Sequence, residues 1–152
     1  MTVRCSIVIP VHGRAGLTKQ CIDAIVALSP RSAFELIVVD DASPDDTAEV
    51  LAAYGEAVRV VTRHENGGFA QACNDGAAVA GGEYLVFLNN DTIPLAGWLD
   101  ALRSDGLAGF FFSQATAASV SASTLHIPRD FSFMGSYQQL RDRVYNEIQR
   151  RV

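Results

Sequence analysis

The chain has 152 residues, 49% of them hydrophobic, which is enough for one domain with a real core and no covalent staple. Its 17 acidic residues outnumber 12 basic ones for a formal charge of -5, which argues against nucleic-acid phosphate or an anionic membrane as the main partner. The 3 cysteines (Cys5, Cys21, Cys73) are widely spaced without a Cys-x-x-Cys pair, so neither a disulfide framework nor a zinc knuckle is indicated, and buried thiols in a reducing, cytoplasmic setting are expected.

Ser6 to Val11, mostly Ile and Val, predicts a short strand covered on both faces, and the apolar run near Met1 is too brief for a secretory core or a membrane span. Gly13 and Gly16 break it. From Leu17, the apolar residues Cys21, Ile22, Ile25, Val26 and Leu28 recur at helical spacing until Pro30 ends the helix. Phe34 to Val39 repeats the buried-strand pattern and stops at Asp40-Asp41. Ser43-Pro44-Asp45-Asp46 then supplies cap and first-turn residues for a helix to about Tyr54.

Ala57 to Thr62 predicts a third strand, and Asn66-Gly67-Gly68 a turn that needs the backbone freedom of Gly and Asn. Phe69 to Val79 follows as a small-residue helix ending at Gly81-Gly82, and Glu83 to Leu88 as a fourth strand closed by Asn89-Asn90-Asp91-Thr92. Pro94 opens the first turn of a further helix through Leu102. Such β/α alternation with buried strands predicts an α/β fold, a mostly parallel sheet flanked by helices.

After about Ser104 the texture changes. Phe110 to Phe112 suggests another strand, Ala115 to Thr124 is almost wholly Ala, Ser, Thr and Val, and Tyr137 to Val152 predicts an amphipathic helix with Leu140, Val144 and Ile148 on one side. The expected organisation is therefore residues 1–104 as one unit and 105–152 as a truncated or divergent segment.

In an open α/β sheet, ligands bind beyond the carboxyl ends of the strands, where all the unusual polar residues fall: Pro10-Val11-His12, Asp40-Asp41, Asn66-Gly67-Gly68 and Asn89-Asn90-Asp91. Paired acids at the end of a buried strand need partners, so Asp40 and Asp41 either cap amides of the turn around Ser43 or accept from a ligand base or ribose. Asp91 with Asn89 offers hard oxygen ligands suited to Mg²⁺ or Mn²⁺ on a phosphate, the alternative being a hydrogen-bonded turn. Asn74, an amide in an Ala-rich helix, is either a satisfied buried group or part of a nucleotide contact. The Gly-rich turn is no Walker loop, since no Gly-Lys-Ser/Thr follows, and no dinucleotide fingerprint, since it follows the third strand. His12, His64 and His126 have no metal-ligand spacing, and no Gly-x-Ser-x-Gly elbow supports acyl transfer.

Ser6-Ile-Val-Ile-Pro-Val-His-Gly-Arg14, Val38-Val-Asp-Asp-Ala-Ser-Pro-Asp-Asp-Thr47, Asn66-Gly-Gly-Phe-Ala-Gln-Ala-Cys-Asn74 and Phe87-Leu-Asn-Asn-Asp-Thr92 together resemble family 2 glycosyltransferases, in order and in spacing. The resemblance implies a GT-A fold that binds a nucleoside-diphosphate sugar. Pro10 and Val11 would contact the nucleoside through backbone, with His12 lining the crevice. Asp41 would read the base and Asp40 support its loop, while Asn66, Gly67, Gly68, Asn74 and Asn90 border the nucleotide. Asp91 would hold Mg²⁺ or Mn²⁺ on the donor diphosphate, with Asn89 standing where a first aspartate often sits. Inverting transfer to a carbohydrate or other hydroxyl acceptor also needs a base, for which Asp130 is the candidate, although its expected acidic neighbour is missing. Gly13 departs from the Asn often found at its position. The rival expectation is a catalytically inactive binding or interaction module, a fragment that pairs with another copy through Leu140, Val144 and Ile148.

Overall fold

A computed structural model describes residues 5–27, 34–82, 84–99, 109–111 and 123–124. In chain order these give β1 (Cys5–Val11), α1 (Ala15–Ala27), β2 (Phe34–Asp41), α2 (Thr47–Ala52), a 3-10 turn (Gly55–Ala57), β3 (Arg59–Arg63), α3 (Phe69–Val79), β4 (Tyr84–Leu88), β5 (Gly109–Phe111) and β6 (Ser123–Thr124). They form one sheet of order β3-β2-β1-β4-β5-β6. Every neighbouring pair is parallel except β5 with β6. The α/β, mostly parallel sheet expected from the alternation is therefore present, and β5 and β6, from the segment after residue 104, join the same sheet.

The Ile and Val runs explain the layering. Successive side chains of a strand point to opposite faces, so β1 sends Ile7, Ile9 and Val11 to one side and Val8 to the other. On the first face they pack with Cys21, Ile22 and Ile25 of α1, Leu51 of α2 and Leu99. On the second, Val8, Ile37 and Val39 meet Ala72 and Cys73 of α3 together with Phe87. Burying each large side chain contributes about 1.5–3 kcal/mol, so the strands are defined by what covers them and not by local propensity. Small residues let α3 lie close: a Cβ added at Gly76 would stand 2.3 Å from Val8 Cγ1 and 3.0 Å from Val39 Cγ2.

Four local expectations are corrected. β2 runs on through Asp41, so both acids are strand residues, Asp40 opposite Val11 and Asp41 opposite Arg63. α2 starts only at Thr47, because Asp45 captures the Thr47 amide and hydroxyl in a tight turn ahead of the helix. Ala57 belongs to the 3-10 turn, and β3 begins at Arg59. Pro94 does not open a helix: its segment is irregular, Gly97 takes φ +81°, and helical backbone appears at Trp98. The 104/105 boundary, Phe112, most of Ala115 to Thr124, Asp130 and the expected terminal helix lie outside the described residues.

The amino ends of the strands are closed by one small network. Ser6 Oγ donates to Glu35 Oε1, which also accepts from the Gly81 amide, while the Gly82 amide donates to Ser6 Oγ. Burial pushes the Glu35 carboxyl up, but these hydrogen bonds outweigh it and hold the group below its ordinary value.

Candidate functional site

At the carboxyl ends, β1 and β4 are neighbours between which the strand order reverses, β1 leading on to β2 on one side and β4 to β5 on the other. A crevice opens at such a switch in strand order, flanked here by His12–Arg14 after β1 and Asn89–Asp91 after β4.

The loops around it hold one another. After β1, His12 Nδ1 lies 2.8 Å from the Asp41 carbonyl oxygen, and since a carbonyl only accepts, Nδ1 carries the proton. The side chain is otherwise exposed. The Gly13 amide donates to Ser43 Oγ, and the Ala15 amide to Asp45 Oδ2. Left-handed backbone at Gly13 (φ +72°), Arg14 (φ +61°) and Ala42 (φ +56°) makes these loops tight enough to meet. Asp45 also accepts from the Thr47 hydroxyl, and this bond first, then the Ala15 amide, keeps its carboxyl below the usual range.

The two strand-end acids divide the work. Asp40, 5% exposed, accepts the Ser43 amide at 3.0 Å and so holds the β2–α2 loop. Asp41, 3% exposed, turns to the other side: Oδ1 accepts from the Gly67 amide at 2.9 Å and Oδ2 from the Gly68 amide at 2.8 Å. Arg63 Nε lies 2.7 Å from Asp41 Oδ1, poorly aligned for a hydrogen bond and therefore a charge contact, while its guanidinium also pairs with Asp75 of α3. A carboxylate has about four acceptor directions, so these contacts leave one on Oδ2. Asn66 Oδ1 accepts from the Gly68 amide at 3.0 Å, fixing the turn locally. Asn74 is half-buried on α3 next to Asp75.

After β4 the chain turns back, the Thr92 amide donating to the Asn89 carbonyl at 3.2 Å. Asn90 Nδ2 reaches Thr18 Oγ1 at 3.0 Å and the Gly13 carbonyl at 3.4 Å, and Cys21 Sγ donates to the Asn89 carbonyl at 3.7 Å. Burial pushes the Cys21 thiol up to about 12, nearby Asp91 adding to the shift, so it is a neutral donor. Asp91 Oδ1 is buried without a hydrogen-bond partner among the described residues, as is Thr92 Oγ1. A buried carboxylate oxygen with no donor is costly. A divalent cation satisfies such an oxygen, so Asp91 fits the role of metal ligand. Among the described residues no three His, Cys, Asp or Glu converge, so a cation here would draw most of its shell from phosphate and water, as Mg²⁺ bound to a nucleotide does.

The structure thus brings Pro10, Val11, His12, Asp40, Asp41, Asn66, Gly67, Gly68, Asn89, Asn90 and Asp91 to one end of the sheet. Five contributors escaped the sequence reading as cross-loop partners: Thr18, Cys21, Ser43, Asp45 and Arg63. Thr18 had a signal, since residues 18, 21, 22 and 25 form one buried stripe of α1 and a hydroxyl on such a stripe asks for a partner. Arg63 had none, because its partner Asp41 is fixed only by the register of β2 with β3.

Residues 6–105 match the family described as glycosyl transferase family 2. Glycosyltransferase GlyG of Streptococcus pneumoniae is 31% identical over 105 residues, 67% of this chain and 35% of that protein. The poly(ribitol-phosphate) beta-glucosyltransferase of Bacillus spizizenii is 37% identical over 94 residues, 59% of this chain and 15% of that protein. Among solved structures, mannosyltransferase PcManGT of Pyrobaculum calidifontis in complex with GDP-Man and Mn²⁺ superposes with a TM-score of 0.59 at 29% identity, covering 63% of this chain and 30% of that one. S. aureus TarS 1-349 in complex with UDP gives a TM-score of 0.58 at 25% identity over 66% of this chain and 31% of its own. The matched part thus spans 35% or less of these relatives. Among the described residues, no helix is long and apolar enough to cross a membrane.

Proposed function

The chain belongs to glycosyl transferase family 2 and carries the GT-A arrangement of sheet and helices, and on that premise we propose that its crevice binds a nucleoside-diphosphate sugar with Mg²⁺ or Mn²⁺. The observation that carries the reading is the buried, partnerless Asp91 Oδ1 beside the switch in strand order.

In this reading Asp91 holds the cation, with Asn89 beside it, and the bound cation supplies the charge that stabilises a departing nucleoside diphosphate. The remaining acceptor direction of Asp41 takes a base N–H, while Asp40 keeps the β2–α2 loop in place. Pro10 and Val11 offer backbone, His12 lines the crevice, and Asn66, Gly67, Gly68, Asn74 and Asn90 border the nucleotide. The complexes of PcManGT with GDP-Man and Mn²⁺ and of TarS with UDP support a nucleotide donor, and the first supports a divalent metal. Inverting transfer to a carbohydrate or other hydroxyl acceptor, in cytoplasmic cell-wall or polysaccharide assembly, completes the proposal, with Asp130 as candidate base. The B. spizizenii relative, which acts on poly(ribitol-phosphate), supports that setting.

The test is calorimetric titration with UDP, dTDP and GDP, each in Mn²⁺ and in chelator, on the wild type and on Asp91→Asn. Binding that strengthens with Mn²⁺ in the wild type and loses that strengthening in the variant is expected. A folded wild type that binds none of the three overturns the donor reading and leaves an interaction module, whose mark is a mass that rises with concentration.

A further inference from the structure

Among the described residues Asp91 Oδ1 has no hydrogen-bond partner, so where it stands depends on the backbone of residues 89–92. That backbone is tied to α1 at two points. Cys21 Sγ donates to the Asn89 carbonyl, and Asn90 Nδ2 donates to Thr18 Oγ1. Both α1 residues are fully buried, at 0% exposure, and stand one helical turn apart on the face packed against the sheet. The Thr18 hydroxyl has one proton, which it gives to the Arg14 carbonyl at 3.4 Å, so towards Asn90 it acts as acceptor.

We propose that Thr18 and Cys21 are positioning residues for Asp91, setting the affinity of the metal-dependent step of nucleotide binding without touching nucleotide or metal. The proposal rests on the reading of Asp91 as the cation ligand. Groups that orient a metal ligand typically change metal affinity 10- to 100-fold when removed, a scale set by how far the ligand oxygen is freed to wander. Thr18 is the sharper of the two tethers. A hydroxyl on a buried helical stripe is unfavourable unless partnered, and Asn90 is a partner that valine at this position would lose while filling nearly the same space.

The experiment titrates the full chain with UDP and GDP, in Mn²⁺ and in chelator, for the wild type, Thr18→Val, Thr18→Ser, Cys21→Ala, Asn90→Ala and the double variant Thr18→Val/Asn90→Ala. Thr18→Val and Cys21→Ala are expected to weaken binding in Mn²⁺ about tenfold and to leave binding in chelator within about twofold. Thr18→Ser retains the hydroxyl and is expected to bind like the wild type. The double variant is expected to be no weaker than its weaker single variant, because both changes break one tether. A Thr18→Val protein with undiminished Mn²⁺ dependence, or one weakened equally in chelator, overturns the proposal. So does a double variant whose two losses add. Failure of the donor reading looks different, since the wild type then shows no Mn²⁺-dependent binding at all. In that event amide exchange in the free chain still tests the tether: at Thr92 it should be faster in Thr18→Val than in the wild type, with α3 amides unchanged, and equal rates at Thr92 refute the positioning role.

Discussion

Replacing Asp41 with alanine should destabilise the fold even with no ligand present. Its carboxylate accepts two backbone amides, from Gly67 at 2.9 Å and Gly68 at 2.8 Å, and faces Arg63 Nε at 2.7 Å. Hydrogen bonds to a charged acceptor contribute about 1.5–3 kcal/mol each, and the low end applies because Gly67 and Gly68 lie on an exposed turn where freed amides can be rehydrated. The Arg63 contact adds little to the loss, since its guanidinium keeps Asp75. The sum is about 3 kcal/mol, which at a urea slope of about 1.5 kcal/mol/M moves the midpoint down by about 2 M. Asp41→Asn should recover less than half of that, because its amide group must point an N–H either at the Gly68 amide or at the Gly67 amide and Arg63. Urea unfolding followed by circular dichroism reads both variants. If Asp41 served only to read a ligand, both midpoints would stay within about 0.5 M of the wild type, and that result would refute the reasoning.

Gly76→Ala should cost about 1–3 kcal/mol despite the better helix propensity of alanine, because the new methyl would stand 2.3 Å from Val8 Cγ1; an unchanged melting temperature would mean α3 packs less closely than described. Acid should weaken the fold through Asp45 and Glu35, both held below their unfolded pKa values, so their stabilisation is present above about pH 4 and is lost as pH falls through the folded values. Asp45→Asn should therefore lower the urea midpoint more at pH 7 than at about pH 3, and an equal drop at both would contradict the linkage. The three cysteines are buried and burial pushes the Cys21 and Cys73 thiols up, so a thiol reagent at pH 8 should label the native chain no faster than it unfolds; rapid labelling of Cys21 would place it outside the core.

Where the structure follows the sequence, the cause is local or repetitive. α3 begins and ends at the expected residues because Gly68 (φ +83°) turns the chain into it and Ala80 leaves it in extended backbone. β1 and β4 begin within one residue of expectation and end where expected, since short, nearly continuous apolar runs in this alternation are buried strands. Where the reading slipped, the deciding partner lay far along the chain. Ser43-Pro44-Asp45-Asp46 has the composition of a helix cap, yet Ser43 and Asp45 serve the amides of Gly13 and Ala15, 30 residues upstream. At the site, strand-end carboxylates and amides were visible as a class, because only function or capping explains them there. Which of them face inward to other loops was not visible, since that depends on strand register: Asp40 and Asp41, adjacent in sequence, serve different loops because neighbouring strand residues point to opposite faces.

The lacing of the rim has a consequence for recombination. Each crevice loop finds a partner on another loop, across separations as long as the 77 residues between Gly13 and Asn90. A chimera joined between β2 and β3, with each half taken from a different family member, would inherit all four motifs intact and still bring together an Asp41 and a Gly67–Gly68 turn that had never shared a chain. The heritable unit of this site is therefore a set of distant pairs, Thr18 with Asn90, Asp45 with Ala15 and Asp41 with Gly67 and Gly68, and shuffled libraries should yield folded survivors mainly where both members of a pair come from the same parent.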